Sequence, residues 1–283
     1  MKQGSIVCIK DIMNIPIGVE SNYTLDWVIS KLMTFGISRL FIFKDKKPIG
    51  IVSEKDILNY FYKEKLQKRV SKVFINELMH DIFFKDSSTT IPEAAKFMID
   101  HKCSSIGVSS NGDLVGIVTK TDIAKFYAEN YPGKKQVASQ MTSNYFSIFT
   151  KDTLLDMIQK MIEGEISRMI IVRNERNPVG IIATGNIFRA VLDIESEENT
   201  QKILNITLDF QNFWSRYEEF CSRPAEKIMS RGIIQVMENE DLANACKMIL
   251  DKGINALVVQ DSDGQIKGVI GKREILLTVA SMN

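Results

Sequence analysis

Apolar residues recur at helical spacing in four separate windows of the chain. Leu25, Val28, Ile29, Leu32 and Met33 form the first stripe, and Ile91, Ala94, Ala95, Met98 and Ile99 the second. Leu154, Met157, Ile158, Met161 and Ile162 form the third, and Leu242, Ala245, Cys246, Ile249 and Leu250 the fourth. Each stripe runs i, i+3, i+4, i+7, i+8, which lines one side of a helix with apolar surface. Two strand-like runs follow each stripe: Leu40–Phe43 then Ile49–Val52, Ile106–Val108 then Leu114–Val118, Met169–Val172 then Val179–Ile182, and Ala256–Val259 then Ile266–Ile270. Turn pairs such as Asn111-Gly112 and Asp263-Gly264 between the runs favour hairpins. A second helix starts directly after the last run of each window. Ahead of each stripe a methionine closes a short apolar segment: Met13, Met79, Met141 and Met229.

This is one unit repeated four times, and a fixed internal period outranks any single element as evidence of fold. The expected class is α/β (α+β), built from four βαββα repeats. Spacing sorts the copies. Met13 to Leu25 and Met79 to Ile91 are both 12 residues apart, while Met141 to Leu154 and Met229 to Leu242 are both 13. Copies one and two therefore form one tandem module, residues 1–130, with repeats near 7–65 and 72–130. Copies three and four form a second, residues 131–283, with repeats near 135–192 and 222–283. Tyr131-Pro132-Gly133 makes the break between them. The connection 193–221 inside the second module is longer. Its Ile203, Ile206, Phe210, Phe213, Trp214, Tyr217 and Phe220 read as an amphipathic helix, packed on its own module or offered to a partner.

Composition narrows the function classes. The chain carries 36 basic and 35 acidic residues in 283, a net charge of +1, which gives no electrostatic case for nucleic acid or an anionic membrane. Cys8, Cys103, Cys221 and Cys246 are scattered, with no metal or disulfide spacing, and Cys246 sits on an apolar helical face as a buried free thiol would. His80 and His101 lie in no metal-site pattern and read as ordinary surface or half-buried residues. The N-terminus lacks a secretory apolar core and no apolar run reaches the ~18 residues of a membrane span, so a cytoplasmic location is expected.

Candidate chemistry lies where the last strand of each repeat enters its second helix. Copy one reads Gly50-Ile51-Val52-Ser53-Glu54-Lys55-Asp56, and copy two Gly116-Ile117-Val118-Thr119-Lys120-Thr121-Asp122. Ser/Thr-x-x-Asp at a helix start resembles a capping box, and capping alone accounts for these residues. The same geometry suits a nucleotide. Free N–H groups and partial positive charge at a helix N-terminus attract phosphate, a hydroxyl can donate to it, and an Asp in the first turn can accept from ribose hydroxyls. Copies three and four depart from the pattern. Ala183 and Gly271 replace the hydroxyl, and Asn186 and Glu274 replace the Asp.

On these residues the chain resembles proteins with four cystathionine β-synthase (CBS) domains arranged as two Bateman modules. The motif G-h-h-[ST]-x-x-D is that family's nucleotide signature. The resemblance implies that Asp56 and Asp122 hold the ribose, and that Ser53 and Thr119 face the phosphates. It places Ser38 and Ser104 near the phosphates; Arg39, adjacent to Ser38, either adds charge there or is an ordinary surface residue. It places the segments after the methionines, Ile15 to Ile17 and Ile82 to Phe84, with Ile17 and Phe83 as candidates, around the adenine. The implied ligand is AMP, ADP, ATP or S-adenosylmethionine, bound in the cleft between copies one and two. A homodimer through the modules and a separate effector protein are the implied partners. No nucleophile–base pair, metal cluster, Walker loop or G-x-G-x-x-G is present in the sequence, so a regulatory binding role is expected rather than catalysis. The alternative is a dimerisation scaffold whose motifs only cap helices.

Overall fold

The computed structural model describes residues 7–64, 70–164, 166–174, 177–191, 221–231 and 234–282. The aromatic stripe expected between Ile203 and Phe220 lies outside these residues.

All four repeats fold as their pattern predicts. Repeat one contains β1 (Gly18–Glu20), α1 (Leu25–Phe35), β2 (Arg39–Lys44), β3 (Lys47–Ser53) and α2 (Glu54–Glu64). Repeat two contains β4 (Phe84–Asp86), α3 (Ile91–Asp100), β5 (Ser105–Ser110), β6 (Asp113–Thr119) and α4 (Lys120–Asn130). Repeat three contains β7 (Ser147–Phe149), α5 (Leu154–Glu163), β8 (Arg168–Asn174), β9 (Asn177–Ala183) and α6 (Thr184–Val191). Repeat four opens on a short helix α7 (Ala225–Ile228) and β10 (Ser230–Arg231). It continues through β11 (Gln235–Met237), α8 (Leu242–Asp251), β12 (Ala256–Gln260), β13 (Ile266–Gly271) and α9 (Lys272–Ala280).

In every repeat the first strand runs parallel to the second, reached through the crossover helix, and the second runs antiparallel to the third. The hairpins show why. Asp45 and Lys46, and Asn111 and Gly112, all take positive φ (52°, 64°, 54° and 87°), the backbone of a turn whose twist matches its strands. Thr90 and Thr153 begin α3 and α5 as reciprocal caps with Glu93 and Asp156, so these helices start where the sequence places a hydroxyl three residues before an acid.

The chain divides into two compact units. One comprises residues 1–16, 82–145 and 233–283, the other residues 17–81 and 146–232. Each unit has its own core. The first is built from repeats two and four: Ala94, Ala95 and Met98 of α3 and Ile123 and Tyr127 of α4 pack with Ala245 and Ile249 of α8 and Ile275 and Val279 of α9. Cys246 is fully buried there, as its apolar face predicts. Its Sγ lies 3.0 Å from the carbonyl oxygen of Ala124, and burial pushes its pKa up to about 12, which leaves it a packed thiol. The second core is built from repeats one and three, with Val28, Ile29 and Leu32 of α1 and Ile57 and Phe61 of α2 joined by Met157 and Met161 of α5 and Phe188 of α6.

Candidate functional site

In repeat one, Ser53 and Asp56 meet at the start of α2. The backbone N–H of Ser53 donates to Asp56 Oδ2 at 2.8 Å and its hydroxyl donates to the same oxygen at 2.6 Å. The imidazole Nε2 of His80 stands 3.3 Å from Oδ2 as well. Three donors thus share one oxygen, and Oδ1 has no protein donor among the described residues. His80 is fixed by its backbone, which exchanges two hydrogen bonds with Ile51 of β3 (2.9 and 3.0 Å). Its Nδ1 lies 3.1 Å from the carbonyl of Asp81. Burial pushes the Asp56 carboxyl up, but the hydrogen bonds from His80 and Ser53 outweigh it, and the net pKa is lowered. The bond to Asp56 raises the pKa of His80 above its ordinary 6.5. Next to Asp56, burial raises the pKa of Glu54, opposed by the charges of Arg189 and Arg39.

In repeat two the same cap forms. Thr119 donates to Asp122 Oδ2 from its N–H (2.8 Å) and its hydroxyl (2.7 Å). Here the other oxygen is also taken, because Asn14 Nδ2 donates to Asp122 Oδ1 at 2.7 Å. Asn14 is held by backbone bonds of 2.9 Å in each direction with Ile117 of β6.

Repeats three and four keep half of the device. Asn186 Oδ1 accepts the N–H of Ala183 at 2.9 Å. Glu274, 2% exposed, accepts the N–H of Gly271 on Oε2 (2.9 Å) and the hydroxyl of Thr142 on Oε1 (3.1 Å).

One rule covers these contacts: the segment leading into a repeat is bonded to the other repeat of its tandem pair. Met13-Asn14 lies on β6 of repeat two, and Met79-His80 on β3 of repeat one. Thr142, after Met141, lies on β13 of repeat four, and Ser230-Arg231 pairs with β9 of repeat three. The strand glycine is where each leader crosses. A Cβ on Gly50 would stand 2.6 Å from Met79 Sδ, one on Gly116 2.4 Å from Met13 Sδ, and one on Gly268 2.5 Å from the Thr142 carbonyl oxygen. The glycine of the motif is therefore needed for close approach of another segment.

The family model for the CBS domain matches residues 9–63, 75–129, 135–193 and 225–281, most of the chain. The chain belongs to the CBS domain family. Over 245 residues it is 20% identical to an uncharacterised protein of Methanocaldococcus jannaschii, covering 82% of this chain and 83% of that one. The crystal structure of that protein superposes with a TM-score of 0.79 over 96% of this chain and 99% of the other, at 17% identity, a likeness of fold. A CBS domain-containing protein of Bacillus subtilis is 34% identical over 42% of this chain and 83% of its own length. L-aspartate semialdehyde sulfurtransferase of M. jannaschii is 36% identical over 104 residues, but the match spans only 20% of that protein. CBS-domain structures in complex with AMP, and with 5′-methylthioadenosine and S-adenosyl-L-methionine, match 50% and 44% of this chain at TM-scores of 0.38 and 0.40, too distant to carry a ligand over to it.

Against this CBS framework the expected site residues fall into two groups. Ser53 with Asp56, and Thr119 with Asp122, are brought together directly. Ser38 and Ser104 are tied to the same helix starts through backbone, their carbonyls accepting from Glu54 N (3.0 Å) and Lys120 N (3.2 Å). Ser38 also accepts on its Oγ from Arg39 at 3.3 Å. Ile17 is half-buried, and its carbonyl accepts from Phe41 N at 2.9 Å. Phe83 is exposed. Its carbonyl accepts from Gly107 N, and its ring meets Phe97 and His101 edge-on at 5.7 and 5.1 Å.

Asn14 and Thr142 carry no mark in the sequence pattern; His80 is exposed, as expected of a surface residue, and in addition reaches Asp56. The available signal was a polar residue directly after each repeat methionine.

The His80–Asp56 pair has a pH signature. His80 has a raised folded pKa, so its contribution is complete below 6.5 and is lost as pH rises through the raised value. Asp56 has a lowered one, so its contribution is complete above 3.8 and is lost as pH falls through the lowered value. His80 is more than half exposed, so solvent screening keeps the effect small. His80→Gln is expected to flatten the decline in denaturant midpoint between about pH 6 and 8, and an unchanged slope would assign it to other groups.

Proposed function

We propose that the chain is a regulatory adenosine-ligand sensor: an adenine nucleotide or S-adenosylmethionine binds at the helix starts of repeats one and two. The observation that carries this reading is the Asp56 carboxylate, which completes its cap with one oxygen and keeps the other for a ligand, beside a hydroxyl and the N–H groups of α2. A ribose diol matches such an acceptor, and a phosphate matches the helix start. Ser53, Ser38, Arg39 and Ile17 serve the repeat-one ligand, and Thr119, Ser104 and Phe83 serve repeat two around Asp122. In repeats three and four, loss of the hydroxyl and the buried engagement of Glu274 argue against an equal ligand. That loss favours a second reading in which the later repeats act as scaffold.

We read the chain as two tandem modules, 1–130 and 131–283, each tied by exchange of leaders. Ligand binding acts through its differential affinity for two packings of the repeats, and a separate effector protein reads the change. No reaction is assigned to the chain itself. The helices through which modules would pair bury one another inside each unit, α3 and α4 with α8 and α9, and α2 with α5 and α6. We therefore assign that pairing to a single chain, with a homodimer as the alternative.

The test is the melting temperature of the purified protein against AMP, ADP, ATP and S-adenosylmethionine. A ligand that binds only the folded state adds about 2.7 kcal/mol of stability at a hundred times its Kd. One of the four is expected to raise the melting temperature with concentration. No shift from any of them at millimolar concentration would hand the motifs back to helix capping and favour the scaffold.

A further inference from the structure

The two intact signatures are identical in pattern, yet the structure gives them different carboxylates. We infer that the residue following the partner repeat's methionine is a latch on the signature acid, so that repeat one is open to ligand while repeat two is latched by Asn14 and takes its ligand more weakly. This inference rests on the sensor reading and assigns an order to its two sites.

In repeat one all three donors, Ser53 N–H, Ser53 hydroxyl and His80 Nε2, converge on Asp56 Oδ2, and Oδ1 is left over. In repeat two, Asn14 reaches the second oxygen, so both oxygens of Asp122 already accept a protein donor. A ribose hydroxyl arriving at Asp122 competes with the Asn14 amide for Oδ1, whereas one arriving at Asp56 Oδ1 meets no competing donor among the described residues. The amide cannot simply turn over to make room, because its own oxygen would then face the carboxylate. Repeat four follows the same rule to its end: Thr142 and Gly271 occupy both oxygens of Glu274, which is buried. The three leaders reach these acids from equivalent places, each pinned to the strand before the signature by a pair of backbone hydrogen bonds.

His80 differs from Asn14 in a second way, since its charge is titratable. The charged groups bearing on it are Asp56 from α2 and Asp81 from its own segment. Arg39 of β2 and Arg189 of α6 act on the adjacent Glu54. Because His80 shares Oδ2, its protonation leaves Oδ1 available, and occupancy of repeat one does not require deprotonation.

The experiment is isothermal titration of the full chain with ATP, AMP, ADP and S-adenosylmethionine in turn, for wild type, Asn14→Ala, Asp56→Asn and Asp122→Asn. Asn14 is exposed and held by its backbone, so its side chain can be shortened without touching either core. Asn14→Ser serves as a second variant. Wild type is expected to bind in two steps, the tighter lost in Asp56→Asn and the weaker in Asp122→Asn. Asn14→Ala is expected to tighten the weaker step about tenfold, the scale of one hydrogen bond to a charged group, and to leave the tighter step unchanged. If ligand binds and depends on the two acids but Asn14→Ala leaves the weaker step where it was, or if the Asp122 step is the tighter, the latch is wrong and the sensor reading stands. If neither wild type nor Asn14→Ala binds any of the four, both fall together.

Discussion

Asp56→Asn is expected to weaken ligand binding at repeat one by about a hundredfold while leaving the protein folded. On the sensor reading the ribose hydroxyls donate to this carboxylate, and an amide oxygen in its place still accepts but without the charge, a loss of about 1–1.5 kcal/mol per hydrogen bond. Two such losses come to about 2–3 kcal/mol, close to the 2.7 kcal/mol or so of a hundredfold change in Kd. The fold survives because an amide can still cap. Repeat three already does this, with Asn186 Oδ1 accepting from Ala183 N at 2.9 Å. Asp56→Ala removes the cap as well and is expected to cost about 1 kcal/mol of stability. The pair of variants separates ligand from cap: loss of binding in both, with loss of stability chiefly in the alanine variant. Undiminished affinity in Asp56→Asn would remove the carboxylate from the site.

Gly268→Val is expected to cause the largest loss of stability of any single change considered, about 3 kcal/mol by urea unfolding. The new Cβ alone would stand 2.5 Å from the Thr142 carbonyl oxygen and 3.0 Å from its carbon. That backbone cannot retreat freely, because Thr142 and Val269 exchange hydrogen bonds of 2.9 and 3.0 Å across the same point. Overpacking typically costs 1–3 kcal/mol, and displacing the leader would also strain those bonds. At Gly116 the obstacle is the flexible Met13 side chain, so Gly116→Ala is expected to cost about 1 kcal/mol. Equal midpoints for the two variants would show that leader crossing does not govern these glycines.

The four repeats were legible because each element carries its own local signal. Stripes such as Leu25 to Met33 specify helices, Asn111-Gly112 specifies a hairpin, and Ser53-x-x-Asp56 and Thr119-x-x-Asp122 specify helix starts. The Ser53–Asp56 cap was legible for the same reason, since the two residues are three apart. What the pattern could not reveal is long-range. Nothing in Met13-Asn14 names β6, about a hundred residues away, as its partner. The leader is too short to carry a period, and its bonds to Ile117 are made by backbone, which every residue has. The two cores were hidden likewise. The stripe on α8 is apolar enough to pack on any helix, and no motif in it names α4, against which Cys246 lies. The contact of His80 with Asp56 was hidden because its partner lies in the preceding repeat.

The decisive comparison is nucleotide binding to the Asp56→Asn/Asp122→Asn double variant beside wild type, with unfolding curves to confirm that both are folded. Saturable binding of an adenosine ligand is expected from wild type, and none from the double variant at the same concentrations. Equal binding by both proteins, or none by the folded wild type, would rule out the sensor reading.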